Sequence, residues 1–181
     1  MTFTVDWFVN NISVWEEKVI PFIPPTGSIL EIGSYEGKST SWIADRLPQV
    51  TIRCVDTFEG GMEHQDVSGL FKRFKENTAK YSKRIKVNIG PSDREIRKFS
   101  RNSFDLVYVD ASHQAIDVLT DAVQSWYCLK TGGLMVFDDY KWDVFPQPEL
   151  NPRLAIDCFL ASFVNHYELI HQDYQVIIKK I

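Results

Sequence analysis

Three aspartates and a histidine stand where they can act on one molecule. Asp110 follows the apolar run Phe104 to Val109, and Asp138 with Asp139 follows the run ending at Phe137. If the two runs are adjacent parallel strands, roughly 4.8 Å apart, these carboxylates converge at one edge of a sheet. Unpaired, they repel one another, and a divalent cation relieves the repulsion. An all-oxygen donor set with waters suits Mg²⁺, Mn²⁺ or Ca²⁺ better than zinc. His113, three residues past Asp110 in a turn entering a helix, can face the same edge and suits a general base. A hydroxyl bound to the cation has a lowered pKa and can give its proton to such an imidazole near neutral pH. Plainer uses compete, since Asp110 also suits a helix cap and His113 a capping or packing role.

A second constellation lies upstream, where Glu31-Ile32-Gly33-Ser34-Tyr35-Glu36-Gly37-Lys38-Ser39-Thr40 leads from a strand into a helix. Open α/β sheets bind nucleotide-like ligands at such a turn. A phosphate-cradling loop needs four residues before its Gly-Lys-Ser, whereas only three separate Gly33 from Gly37. A dinucleotide fingerprint needs glycine where Tyr35 stands. What remains, Glu-x-Gly-x-x-x-Gly, has no crowded phosphate seat and suits a cationic or neutral nucleoside. Glu31 can accept hydrogen bonds or balance an ammonium through water, while Gly33 and Gly37 let the backbone pass close beneath a ligand. Asp56 lies 23 residues after Gly33, near the roughly 20-residue spacing at which an acid grips ribose hydroxyls. Each residue also has a structural reading: turn glycines, Asp56 as a cap, Phe58 as a core aromatic.

Taken with Val55-Asp56-Thr57-Phe58-Glu59-Gly60, the run Phe104 to His113, and Gly132-Gly133-Leu134-Met135-Val136-Phe137-Asp138-Asp139-Tyr140, this loop resembles the class I methyltransferases that use S-adenosylmethionine. Within them it looks like the branch containing macrocin-type sugar O-methyltransferases. The resemblance covers about residues 28 to 140. It implies S-adenosylmethionine as cofactor, with Glu31 and Gly33 at the methionine part and Ser34 and Gly37 in the same loop. Asp56 would take the ribose, Thr57 with Phe58 the adenine side, and Gly90, Ser92 and Asp93 would approach the adenine. It further implies metal ligands at Asp110, Asp138 and Asp139, although some relatives carry Glu or Asn at the last two. The expected reaction is methyl transfer to a hydroxyl of a small molecule or sugar, with Mg²⁺, Mn²⁺ or Ca²⁺ assisting and His113 as base. The alternatives are a metal-independent methyltransferase acting on RNA or protein, and a non-catalytic partner subunit.

The elements that must position these residues are legible in the pattern. Strands are expected at Ser28 to Gly33, Thr51 to Asp56, Ile85 to Ile89, Phe104 to Asp110, Leu134 to Asp138, Tyr167 to His171 and Tyr174 to Ile178. Helices are expected at roughly Val5 to Ile20, Gly37 to Leu47, Val67 to Tyr81, Ser92 to Phe99, Gln114 to Leu129 and Pro152 to Asn165. Such alternation indicates a doubly wound, Rossmann-like α/β domain of seven mostly parallel strands with an antiparallel closing strand. One domain is expected over 1–181, with an N-terminal helix and entry loop at 1–24, the binding core at 28–140, and a closing helix and hairpin at 152–181.

With 181 residues, 44% hydrophobic and 24% charged, the chain can bury a substantial core, which argues against disorder. No run approaches the roughly 20 apolar residues of a membrane span, and no leader-type segment is visible, so a cytoplasmic chain without membrane contact is expected. Cys54, Cys128 and Cys158 lack CxxC spacing and read as buried reduced thiols. Net charge is −4, which argues against an obligate nucleic-acid binder. Residues 72–101 nevertheless hold eleven Lys or Arg against three acids, solvated helix faces or a seat for an anionic partner. Trp7 and Trp15 read as one core-facing helical stripe, Trp142 as a wall of the pocket or a packed loop aromatic, and His64, His166 and His171 receive no role. Acceptor selection falls to the N-terminal helix, the loops 60–69 and 141–151, or a second subunit in a homodimer.

Overall fold

The computed structural model describes residues 1–61 and 67–181; His64 and the middle of the 60–69 loop lie outside the described residues. Seven strands, β1 (Ser28–Ile32), β2 (Thr51–Asp56), β3 (Ile85–Ile89), β4 (Phe104–Val109), β5 (Leu129–Phe137), β6 (Tyr167–Gln172) and β7 (Val176–Lys180), form one sheet in the order β3-β2-β1-β4-β5-β7-β6. Only β7 runs against the others, as an antiparallel neighbour of both β5 and β6. The expected doubly wound sheet is therefore present, with the reversed strand placed one position in from the edge. The hairpin sits two residues later than expected on its second arm, because Tyr174 is diverted to donate its hydroxyl to Asp139 while its carbonyl accepts from Tyr140.

Helices α1 (Ile12–Lys18), α2 (Lys38–Arg46) and α3 (Leu70–Thr78) flank one face, and α4 (Ser92–Glu95), α5 (Ala115–Cys128) and α6 (Pro152–Ser162) the other. Strand alternation explains the division. On β4, Leu106 and Tyr108 pack with Trp15, Ile43 and Phe74, whereas Val107 and Val109 pack with Val118, Trp126 and Phe159. The N-terminal helix is shorter than expected: a 3-10 turn at Phe8–Asn11 precedes α1. Trp7 therefore lies off the helix, so the eight-residue spacing to Trp15 does not put both on one stripe. Trp15 is fully buried, and Trp7 is 58% exposed against Tyr35 at 5.3 Å between ring centroids.

Cys54 and Cys128 are buried free thiols, and Cys158 is free but exposed on α6, against the expectation for it. Part of the basic 72–101 stretch is consumed by the fold. Arg73 pairs with buried Glu36, and Arg84 donates to the carbonyls of Ala44 in the last turn of α2 and of Leu47 and Val50 after it. No helix among the described residues is long and apolar enough to cross a membrane.

Candidate active site

The ladder of the sheet continues one residue past the strand ends and sets the site residues in a row. Gly90 N donates to Asp56 O at 3.0 Å, Gly33 N to Val55 O at 2.9 Å, Asp110 N to Ile32 O at 2.8 Å, and Asp138 N to Val109 O at 3.0 Å. These bonds place Gly90, Gly33, Asp110 and Asp138 along the carboxyl edge of β3, β2, β1, β4 and β5, the side on which such sheets bind ligands. A cleft of about 1390 Å³ opens there. Its lining brings together Gly33, Ser34, Asp56, Thr57, Gly90, Ser92, Asp93, Asp110, His113, Asp138, Asp139 and Trp142.

Two glycines are required by this geometry. A Cβ on Gly33, at φ +86°, would lie 2.0 Å from the Asp110 carbonyl oxygen. One on Gly37, at φ +79°, would meet Thr78 at 2.8 Å and Phe74 at 3.0 Å. Gly33 is thus the point where the β1 and β4 strand ends close on each other, and Gly37 lets α2 seat on α3. Gly37 is buried and does not line the cleft.

Two expected ligand contacts, Glu31 and Phe58, turn inward, and a third, Asp56, is engaged by the loop itself. Glu31, expected at the methionine end, is fully buried and absent from the cleft lining. Its carboxyl accepts from Ser34 Oγ at 2.6 Å, Ser39 Oγ at 2.7 Å and the Thr40 hydroxyl, with Cys54 Sγ at 3.5 Å. Burial raises its pKa and the three hydroxyls hold it down, so Glu31 ties β1 to the first turn of α2 and fixes the glycine loop from below. Phe58 packs on Phe71 and Phe74 at 4.8 and 5.1 Å, the core role, and leaves Thr57 alone at the cleft. Asp56 does line the cleft, but its Oδ2 accepts the amides of Ser34 at 2.7 Å and Tyr35 at 2.8 Å, and its Oδ1 that of Phe58 at 2.6 Å. It therefore closes the loop as a turn acceptor, with lone pairs remaining for hydroxyl donors.

The acid-rich half is built on buried polar bonds. Asp138 Oδ2 accepts from the Tyr108 hydroxyl, Gln175 Nε2 at 3.0 Å and Asn11 Nδ2 at 3.3 Å, and Gln175 in turn accepts Trp15 Nε1 at 3.0 Å. Asp139, at φ +63°, accepts the Tyr174 hydroxyl at 2.9 Å and pairs with His113 Nε2 at 3.1 Å. Trp142 stacks on the His113 ring at 4.4 Å and 10°, so it is a wall of the cleft and an orienting surface for the imidazole. Burial and the charges of Asp138 and Asp139 push Asp110 well above the usual carboxylate range, and burial with Asp139 raises Asp138 to about 6. Among the described residues, no group of three or more His, Cys, Asp or Glu side chains is gathered as it stands around a point that could hold a metal ion.

The sequence reading missed Trp7, Tyr108, Asn11 and Asp121, all at the cleft. Asp121 left a signal: it interrupts the buried stripe Val118, Ala122, Ser125 and Trp126 of α5 with an acid. Burial raises its pKa to about 7, the nearby Ser92 hydroxyl pulling down and the charges of Asp117 and Asp93 pushing up.

Comparison with known proteins agrees with this architecture. A family model described as a methyltransferase domain matches residues 30–140. Protein R132 of Acanthamoeba polyphaga mimivirus, which carries no functional description, is 25% identical over 142 residues, 70% of this chain and 58% of that protein. The chain thus spans little more than half the length of that relative. Among solved structures, a candidate rRNA-methylase from Clostridium thermocellum gives a TM-score of 0.73 at 11% identity, covering 99% of this chain and 98% of that one. A candidate caffeoyl-CoA O-methyltransferase from Staphylococcus aureus gives 0.67 at 15% identity, covering 98% and 85%. The MycE methyltransferase of the mycinamycin biosynthetic pathway, solved with Mg, SAH and mycinamycin VI, gives 0.65 at 18% identity, covering 99% of this chain and 50% of its own. At these identities the structures share the fold. Matched over residues 30–140 and built on the same sheet, the chain belongs to the methyltransferase domain family.

Proposed function

We propose that the protein methylates a hydroxyl of a small molecule, a sugar-bearing one in the first instance, and that the His113–Asp139 pair removes the hydroxyl proton. The observation that carries this reading is the placement of that pair, 3.1 Å apart, on the same cleft that the glycine loop floors. Sugar-type acceptors are favoured by the strand-end motifs, which resemble those of the macrocin-type branch, and by the mycinamycin VI in the MycE structure.

The residues fit the cofactor. Gly33 keeps the loop free of side chain where β1 and β4 close, Ser34 and Asp56 offer polar groups to the amino-acid and ribose ends, and Thr57, Gly90, Ser92 and Asp93 border the nucleoside end. S-adenosylmethionine supplies an electrophilic methyl whose carbon–sulfur bond breaks with the electron pair left on sulfur. The chain supplies position and the base. Asp139 accepts the Nε2 hydrogen of His113 and stabilises the imidazolium formed when Nδ1 takes the acceptor proton. Trp142 holds the ring plane, and Tyr174 fixes the other oxygen of Asp139. Nothing needs to protonate the departing thioether, so holding oxygen, methyl and sulfur in line is the larger part of the task.

A divalent cation fits the donor chemistry of the acidic corner: three carboxylates, two of them raised by burial and mutual charge, with no Lys or Arg paired to any of them among the described residues. Asp110, Asp138 and Asp139 would hold it, Asp138 giving up bonds to Tyr108, Gln175 or Asn11. When bound it would lower the pKa of a coordinated hydroxyl.

Calorimetric titration tests both parts. S-adenosylhomocysteine is expected to bind chelator-stripped protein in the micromolar range, and Mg²⁺ to give saturable heat with the nucleoside present but none with Asp138→Ala. Failure of the nucleoside to bind would overturn the cofactor assignment; identical Mg²⁺ heats in both proteins would remove the cation and leave the His113 base standing.

A further inference from the structure

Residues 2–11 carry a single 3-10 turn and lie as a strap pinned along its length. Thr2 exchanges two hydrogen bonds with the side chain of Asn77, at 2.8 and 3.0 Å, and Thr4 gives its amide and hydroxyl to buried Glu36 at 2.7 and 2.9 Å. Asp6 pairs with Lys38 at 2.7 Å, Phe8 is buried against Trp15 and Trp42, and Asn11 Nδ2 reaches Asp138. These anchors fix the course of the strap. Trp7 packs on Tyr35 in the loop after β1, and Asn11 ends at the residue that follows β5. With the strands in the order β1-β4-β5, residues 7–11 pass over the end of β4, where Phe8 meets Tyr108 at 6.4 Å between ring centroids. The strap is thus a wall of the acidic half of the cleft.

Among the large apolar side chains left exposed on the described residues, only Trp7 and Tyr174 line the cleft. Tyr174 gives its hydroxyl to Asp139 beside His113, and Trp7 stands on the strap. An indole exposed at the wall of a cleft stays wet until a ligand covers it. Its face is suited to a ring, either an aromatic one in an offset stack or a sugar laid on its C–H face. The carboxylates of Asp110, Asp138 and Asp139 share this half of the cleft and disfavour an acceptor that itself carries a carboxylate or phosphate. We propose that Trp7 is the specificity-determining surface for the acceptor, an uncharged, hydroxyl-bearing ring that lies against the indole with its hydroxyl toward His113. This rests on the hydroxyl-methylation reading and narrows its substrate class. The strap holds the indole in place before any ligand arrives, so the contact adds binding without the cost of ordering a loop.

The test measures steady-state kinetics with S-adenosylmethionine, Mg²⁺ and two ring acceptors, methyl α-L-rhamnopyranoside and catechol, on the wild type, Trp7→Ala and Trp7→Phe. S-adenosylhomocysteine is titrated into each protein, and each is melted. Trp7→Ala is expected to raise KM for the ring that turns over by about 10- to 50-fold with kcat within about threefold, the mark of lost binding shared by ground and transition states. Trp7→Phe, which keeps a ring face, should return KM to within about fivefold of the wild type. Affinity for S-adenosylhomocysteine should stay within about threefold in both variants, and which of the two rings turns over tells a sugar from a phenol. An unchanged KM in Trp7→Ala would overturn the proposal, and so would a phenylalanine variant no better than alanine. A loss of S-adenosylhomocysteine affinity as large as the rise in KM would put Trp7 on the cofactor, and a lowered melting temperature with a matching loss of kcat in both variants would make it structural; either result overturns the assignment. If the wild type binds S-adenosylhomocysteine but turns over neither ring, the hydroxyl-methylation reading falls and takes this proposal with it. Absence of nucleoside binding would instead defeat the cofactor assignment itself.

Discussion

Replacing His113 with glutamine is expected to lower kcat by about 10²- to 10⁴-fold, the usual contribution of a positioned general base. Affinity for S-adenosylhomocysteine should stay within about threefold. The readout is S-adenosylhomocysteine release with the hydroxyl compound that turns over best in a panel of sugar and phenolic acceptors. Glutamine fills a similar volume and can still donate toward Asp139, so the stacking surface of Trp142 and the Tyr174–Asp139 bond survive. What it cannot do is accept a proton at neutral pH. A structural role for His113 would appear differently, as a loss of melting temperature with little change in kcat for the protein still folded. Asp139→Asn separates the layers further: it keeps a polar partner for His113 but stabilises the imidazolium less, so its kcat falls by less than that of His113→Gln. Equal turnover in the wild type and His113→Gln would leave the reaction to positioning alone and remove the base.

The seven strands and the position of Asp110 and Asp138 just past two of them were legible because each of those apolar runs ends directly before the residue that the next bond of the ladder holds. Asp110 and Asp138 follow Val109 and Phe137 directly, and the pattern needs no tertiary information. What depended on how loops curve was not legible. The Asp56 carboxyl turns to the Ser34 and Tyr35 amides because Gly33 and Tyr35 both adopt positive φ, and backbone curvature of that kind has no residue-type signature at Tyr35. Glu31 reads as a ligand group from its place before the turn, yet its neighbours on α2, Ser39 and Thr40, carry hydroxyls on the face that packs against it. An acid one residue inside a strand end, with two hydroxyls eight and nine residues later, is a structural bracket once the helix is laid on the sheet. Trp7 escaped because a helical spacing was assumed across a segment that is not yet helix.

The acidic corner shows how two readings of one cluster can both be physical. Asp138 is satisfied by Tyr108, Gln175 and Asn11, and through Gln175 it is tied to Trp15 in the centre of the core. A purely structural acid would end there. Asp110 is held down by the Tyr108 hydroxyl, while burial and the charges of Asp138 and Asp139 act against its ionisation. Concentrating negative charge at a cleft costs stability that a scaffold has no reason to spend, whereas a site that must receive a cation or a proton gains from it.

Gly33→Ala is expected to be the most damaging single methyl in the chain. At φ +86° the left-handed conformation alone costs alanine about 1 kcal/mol relative to glycine. The new Cβ would also lie 2.0 Å from the Asp110 carbonyl oxygen, 2.5 Å from its carbonyl carbon and 2.6 Å from Ala111 Cα, all backbone atoms that no rotamer change can move. Forcing such a contact apart adds roughly 1–3 kcal/mol. The sum, about 2–4 kcal/mol, corresponds to a fall in Tm of about 4–16 °C for a chain of this size. Relief has one direction, which is to separate β1 from β4 at their ends and stretch the Asp110 N to Ile32 O bond. That same movement displaces the glycine loop from Asp56 and Asp110 from His113, so S-adenosylhomocysteine affinity should fall by more than tenfold in whatever fraction remains folded. Gly132→Ala supplies the control: it too has positive φ, +82°, but its Cβ meets nothing within 4 Å, so it should show only the conformational cost and bind the nucleoside as the wild type does. If the two alanine variants melt together and bind alike, the closure of β1 on β4 is not what holds the cleft in shape.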